Sequence, residues 1–294
     1  MIDQNEYDKQ FYQNIKRRLI TNKLIQIGVF CSVIIALIPL CSIVFEVFKN
    51  GINAISIDFL LDVPGSIGSG QGGIGPAIQG TILLICLTSL IGIPLGLSSG
   101  LFLYEFHDNK IAKMIRFFND VFMEFPTIIL GIFAFLVIVL TLGYFTILAG
   151  SFALSLIMFP IIARTTEESL KMVPVTYKEA GIALGLQKWV ISVRIIMSAA
   201  KKGIVNGILL SVARIGGETA PLIMTILGSS QFFHGIDSPV DSLTLRIWRL
   251  SLLPYDDAQT SGWGSALVLI FIIIMISIGI RYLFDNNIRK SIKT

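Results

Sequence analysis

Along this chain, long apolar stretches alternate with short clusters of charge, and the gaps between charged residues mark the candidate elements. Residues 24–45 carry no charge. Residues 63–104 are also uncharged, but their first part is rich in Gly and Pro, so only about 80–104 reads as helix. Residues 125–163 are long enough for two helices joined near Leu142, Gly143 and Tyr144. A fifth stretch, about 203–227, is interrupted by Arg214 and Glu218, and a sixth runs over 258–280. A hydrocarbon core about 30 Å thick needs about 20 apolar residues per helix, so each stretch is long enough to span it. The pattern predicts an all-α membrane protein of six transmembrane helices. The segment 111–125 is different. Ile111, Met114, Ile115, Phe118, Phe122 and Phe125 recur at helical spacing, with Lys113, Arg116, Asn119 and Asp120 between, which predicts an amphipathic interfacial helix ahead of Pro126.

Composition agrees. Of 294 residues, 54% are hydrophobic and 14% charged, against about 25% charged in a soluble domain. A soluble globular enzyme is excluded. Nineteen Lys and Arg fall in the two terminal segments and the connections after spans two and four, against three (Lys49, Arg246, Arg249) on the other side. The positive-inside rule therefore puts both termini in the cytoplasm of a multi-pass protein of the cytoplasmic membrane. The organisation expected is a tail over 1–24, a first span over 25–48, a transport domain over 72–284 with a cytoplasmic loop at 164–202, and a tail over 285–294. The first span is expected to be retained, because the polar opening stretch is followed by no small-residue cleavage site.

Other chemistries lack their residues. Cys31, Cys41 and Cys86 lie in apolar runs, and His107 and His234 have no companions at metal-ligand spacing, so no metal is expected. Gly68, Gly70 and Gly73 fit G-x-G-x-x-G, but no strand precedes them, and a flexible loop into span two explains them. No Walker A sequence occurs, so any ATP must be bound by another subunit, and no nucleic-acid partner is indicated.

Two places carry candidate chemistry. The cytoplasmic connection after span four is about 39 residues long, and connections of that length without a task are uncommon. Within it Tyr177, Ala180, Gly181 and Leu184 form a helical face of small and apolar residues that another protein's groove could approach, and Gly185 supplies a left-handed helix end. The alternative is an ordinary helical hairpin. In span five, Arg214 and Glu218 stand four apart on one helix face, beside Gly216, Gly217 and Pro221, where the proline deprives a carbonyl of its donor and allows a bend. Intramembrane charges line a path or the bundle interior. The alternative is a mutually neutralised pair that only fixes packing.

Both places resemble a known family. Glu179, Ala180, Gly181, Ile182, Ala183, Leu184 and Gly185, then nine residues to Ile195, resemble the E-A-A-x3-G-x9-I-x-L-P loop of ABC importer permeases, departing at Gly181, Met197 and Ser198. The string from Ala213 to Leu222, with Arg214, Gly217, Glu218, Thr219, Ala220 and Pro221, resembles the A-R-x-x-G-E-T-A-P-L signature of the PstA-type phosphate importer permeases. Ile162 to Glu167 and Gly72 to Ile78 resemble two further motifs of those proteins. The resemblance implies a type I ABC importer permease fold and inorganic phosphate as cargo. The chain itself would bind no cofactor, ATP-Mg being held by a separate PstB-like ATPase dimer. A PstC-like second permease and an external PstS-like binding protein would complete the assembly. Arg164, Arg214, Glu218 and Thr219 would serve translocation; Glu179, Ala180, Gly181 and Gly185 would couple to the ATPase. For Arg164 a plain positive-inside anchor stays open. A permease for sulfate or molybdate, an ATPase-independent channel or carrier, and a membrane anchor without transport are the rival functions.

Overall fold

The computed structural model describes residues 4–66 and 72–291, with side chains over 15–66 and 72–284. Gly68 and Gly70 of the glycine-rich motif lie outside them. Among the described residues there is no strand. Helix α1 (Gln4–Gly51) is continuous through the expected tail and first span, and its spanning part exposes apolar side chains all round. The remainder, from Gly51 onward, folds as a separate compact unit.

That unit holds a short helix α2 (Ile57–Leu61), then α3 (Gly75–Glu105), α4 (Lys110–Glu124), α5 (Thr127–Leu142) and α6 (Ile147–Lys171). The long connection after α6 forms α7 (Val175–Ala183) and α8 (Lys188–Ala199), followed by α9 (Lys201–Gly216), α10 (Ala220–Thr225), α11 (Leu243–Ser251) and α12 (Asp256–Ser291). Local chemistry sets the boundaries. Thr146 caps α6 by accepting from the backbone N–H groups of Leu148 and Ala149, Asn109 caps α4 through Ile111, and Ser242 caps α11 through Leu245. Gly143, at φ +84°, makes the left-handed turn between α5 and α6. Among the described residues four helices are long and apolar enough to span a bilayer, and up to six spans result if the bent pairs α4 with α5 and α8 with α9 are each counted as one.

Helix α6 is the most enclosed of them, with most of its apolar length buried, whereas α12 keeps nearly all of its own open. Lipid is as apolar as leucine, so helices in it associate through close packing rather than escape from solvent. Glycine supplies the closeness. Gly92, Gly96 and Gly100 recur every fourth residue on α3 and lie against Met158, Ile162 and the Ala163–Thr166 turn of α6, so the two helices run parallel. Gly203 and Gly207 of α9 lie against Ser169 and Thr165, so α9 runs antiparallel to α6. Leu84, Leu154, Met158, Ile162, Ile215 and Ile226 fill the core between them.

Helix α4 meets α5 at 107°. Its orientation reverses the arrangement of a soluble amphipathic helix. Ala112 and Asn119 are buried and Arg116 turns inward, while Ile111, Met114, Phe117 and Phe118 are exposed, as a helix in the membrane interface requires.

A Cβ at position 100 would lie 2.6 Å from the Ala163 carbonyl oxygen and from Thr166 Cβ. Gly100→Val is therefore expected to destabilise the purified chain by about 1–3 kcal/mol, as overpacking does. Gly279→Ala, with nothing within 4 Å, should leave the melting temperature in detergent unchanged; equal behaviour of the two would refute the glycine seam.

Candidate functional site

The fifth span is two helices with a break, rather than one helix bent at a proline. α9 ends in a tight turn, with Gly217 N–H donating to the Arg214 carbonyl (3.1 Å) and Glu218 N–H to that of Ile215 (3.2 Å). After Thr219 the chain restarts as α10, with Pro221 in its first turn, where its missing N–H costs nothing. Pro221 is accommodated because Gly131 on α5 has no side chain: a Cβ there would meet Pro221 Cα at 2.6 Å. Thr244 Oγ1 donates to the Glu218 carbonyl (3.0 Å), tying the break to α11.

At this break Arg214 Nε stands 3.7 Å from Glu218 Oε1, with side chains 46% and 15% exposed. That exceeds the roughly 2.7–2.9 Å of a charge-assisted hydrogen bond. The pair is loosely engaged, and the guanidinium remains open on the surface of this chain. Arg164 is elsewhere. It lies on α6 beside Thr165, the residue that meets Gly207, and Gly207 precedes Arg214 by seven residues, or about 10 Å of helix. There Arg164 reaches Glu168 through Nε (3.2 Å) and Asp120 through Nη1 (3.3 Å). The structure thus brings Arg214, Glu218 and Thr219 together and leaves Arg164 at a different depth, in its own ion-pair cluster.

The long connection after α6 is a helical hairpin. Pro174 precedes α7, and Gly185, at φ +71°, turns the chain so that Leu186 N–H reaches the Gly181 carbonyl (3.1 Å). Gly181 does not belong to an outward face. It is buried against Ile191 of α8, 2.8 Å from where its Cβ would be. Glu179, Ala180 and Gly185 are exposed. Tyr177, Ile182, Leu184 and Trp189 add an exposed apolar surface.

Two carboxylates make contacts that sequence reasoning missed, and the first of them anchors the hairpin. Glu105, at the end of α3, accepts from Ser192 Oγ (2.6 Å) and lies 3.9 Å from Lys178 Nζ. Glu167, nearly buried on α6, receives Arg116 Nε (3.0 Å) and Lys171 Nζ (2.6 Å), while Arg116 also donates to the Leu103 and His107 carbonyls. The Glu167–Lys171 spacing on one helix is the only signal a sequence reader could have used. The Glu105–Ser192 contact joins residues 87 apart.

Just ahead of α11, Asp241 is wholly buried, 3.6 Å from Arg246 and 4.0 Å from Arg249. Burial pushes its carboxyl above the ordinary carboxylate value, and the two arginines and a backbone hydrogen bond pull against it. Among the described residues no three His, Cys, Asp or Glu side chains converge as metal ligands would. Cys31, Cys41 and Cys86 are unpaired and exposed.

Residues 92–291, which include both the broken span and the hairpin, match the family described as binding-protein-dependent transport system inner membrane component. The chain is 36% identical over 273 residues to the probable phosphate transport system permease protein PstA of Methanocaldococcus jannaschii, covering 92% of this chain and 96% of the other. It is 36% identical over 268 residues to the phosphate transport system permease protein PstA of Haemophilus influenzae, covering 90% and 94%. In fold it is similar to a bacterial ABC transporter involved in the import of the acidic polysaccharide alginate, with a TM-score of 0.61, 17% identity and 93% and 99% coverage. An inward-facing MetNI methionine ABC transporter gives a TM-score of 0.54 over 74% and 94% at 17% identity. By sequence over most of its length and by its all-helical fold, this chain belongs to the binding-protein-dependent transport system inner membrane components.

Proposed function

We propose that this chain is a permease subunit of an ATP-driven importer that carries inorganic phosphate inward across the cytoplasmic membrane. The observation that carries the reading is the broken fifth span, which holds an exposed arginine and a half-buried glutamate at one point, in a string that resembles the signature of the phosphate permeases. The chain makes and breaks no bond itself.

The residues suit the cargo. At neutral pH phosphate carries one to two negative charges and keeps at least one O–H. The Arg214 guanidinium offers a planar fork to two phosphate oxygens. It is available for that, since Glu218 holds it only at 3.7 Å. An ionised Glu218 can accept the phosphate O–H, and Thr219 adds a hydroxyl beside it. Sulfate has no proton to give and would face an unpaired carboxylate. Arg164, about 10 Å nearer the cytoplasm, serves as a later contact on the same route. Because Arg214 opens at the surface of this chain, the pathway needs a second wall, which a PstC-like permease would supply. Phosphate would arrive from a PstS-like protein outside. Both termini lie in the cytoplasm, as does the hairpin of α7 and α8, whose exposed apolar surface seats in a PstB-like ATPase dimer holding ATP-Mg. Its closure passes to the bundle through Glu105 and α3.

In cells lacking this chain, Arg214→Ala should lower ATP-dependent uptake of labelled phosphate at least tenfold relative to the wild type at equal membrane insertion, the loss expected when a charged hydrogen-bonding partner of about 1.5–3 kcal/mol is removed. Wild-type chain that restores nothing with intact partners would show that the cargo is another oxyanion. Glu218→Gln should admit sulfate as a competitor; normal phosphate transport with no sulfate admitted would reject the proton-acceptor role. Gly181→Val, which drives a side chain into Ile191, should reduce co-purification of the ATPase subunit severalfold while leaving the chain in the membrane. A channel or carrier would be indifferent to that change.

A further inference from the structure

The connection between α10 and α12 holds a second set of arginines that the translocation route through Arg214 does not use. Ser242 caps α11 so that Arg246 and Arg249, three residues apart, fall on one face of the helix. Both line a cavity of about 280 Å³, together with Ser230, Ser261, Gly73 and Asp257. Liquid water occupies about 30 Å³ per molecule, so the space accepts a hydrated oxyanion.

Their charge is incompletely met. The carboxylate behind them, Asp241, is fully buried and stands 3.6 Å from Arg246 and 4.0 Å from Arg249, too far to hydrogen-bond either guanidinium. Burial also makes ionisation of Asp241 costly. Arg246 is 15% exposed, and its Nε is buried without a partner. Arg249 spends one nitrogen on the Leu227 carbonyl, at a left-handed pair formed by Leu227 (φ +57°) and Gly228 (φ +82°). Asp257, in the first turn of α12, is exposed to water, where its repulsion is screened. Two guanidinium groups thus share one reluctant, distant counter-charge beside an open cavity, with donors to spare.

We infer that Arg246 and Arg249 form an outer oxyanion site that receives phosphate released by the external binding protein before it reaches Arg214, an inference that rests on the phosphate reading above. The chemistry recognised is a tetrahedral group with several oxygens and one to two negative charges. The site bears mechanically on the break in span five. Arg249 grips the end of α10, and Thr244 on the same helix as the two arginines holds the Glu218 carbonyl.

The test uses the assembled importer in phosphatidylcholine nanodiscs without the external binding protein, in a chain carrying Cys31→Ser, Cys41→Ser, Cys86→Ser and Ser261→Cys. Labelling of the new thiol by a neutral maleimide is timed against added sodium phosphate, sulfate or chloride at matched ionic strength. Phosphate should slow labelling at least threefold where chloride does not. Arg246→Gln, and separately Arg249→Lys, which keeps the charge for folding, should each raise the half-protecting phosphate concentration about tenfold. Arg214→Ala should retain the protection although it stops uptake, so failure of the outer site and failure of the translocation route are told apart. Absence of protection, equal protection by chloride, protection by sulfate and not phosphate, or protection undiminished in Arg246→Gln would each overturn the inference. Protection by phosphatidylglycerol nanodiscs with no phosphate added would assign the arginines to a lipid headgroup and overturn it as well.

Discussion

Everything in the compact unit depends on how closely α3 and α6 approach. In a bilayer, apolar side chains gain nothing by leaving lipid for protein, so cohesion must come from contact at short range. Gly92, Gly96 and Gly100 bring the α3 backbone directly onto α6, and Gly203 and Gly207 do the same for α9 from another side. With α6 clasped between two glycine-bearing helices, its inner end becomes a fixed point. The polar groups that matter for mechanism are built outward from there: Glu167 and Lys171 on α6, Arg116 on α4, and Glu105 on α3.

The break at Gly217 and Glu218 follows from the same economy of space. A continuous helix would have kept Arg214 and Glu218 one above the other as a closed pair. Ending α9 and restarting the chain at Thr219 loosens that pair while Thr244 takes up the exposed Glu218 carbonyl. The backbone disorder a break would bring is avoided by Pro221, seated where Gly131 leaves room. The result is a stiffly held gap beside a loosely held charge.

Much of this was legible in the sequence. The spans follow from charge-free runs, the turn at Gly143 and the left-handed Gly185 from glycine placement, and the interfacial helix from its period. What the sequence could not show were relations between distant elements. The spacing of Gly92, Gly96 and Gly100 was on the page, but which helix they met was not. Gly181 looked like part of an outward small-residue face, because periodicity cannot say which neighbour a face will find; Ile191 claimed it. The proline at 221 read as a kink, because a residue that bends a helix and one that begins the next carry the same local signature. The resemblance assigns both Arg164 and Arg214 to the translocation route, with an anchor role open for Arg164, and the antiparallel register of α6 and α9 sets them about 10 Å apart along the bundle.

The inverted helix α4 has one further consequence. Its exposed Phe117 and Phe118 must rest at the level where headgroups give way to acyl chains. Arg116 ties that helix to the ends of α3 and α6, and the end of α3 holds the hairpin through Glu105. The standoff between the lipid surface and the exposed apolar surface of the hairpin is thus set by a rigid chain of contacts rather than by the hairpin itself. α4 works as a depth gauge, so that a change in bilayer thickness would reach the hairpin as a tilt of its supports.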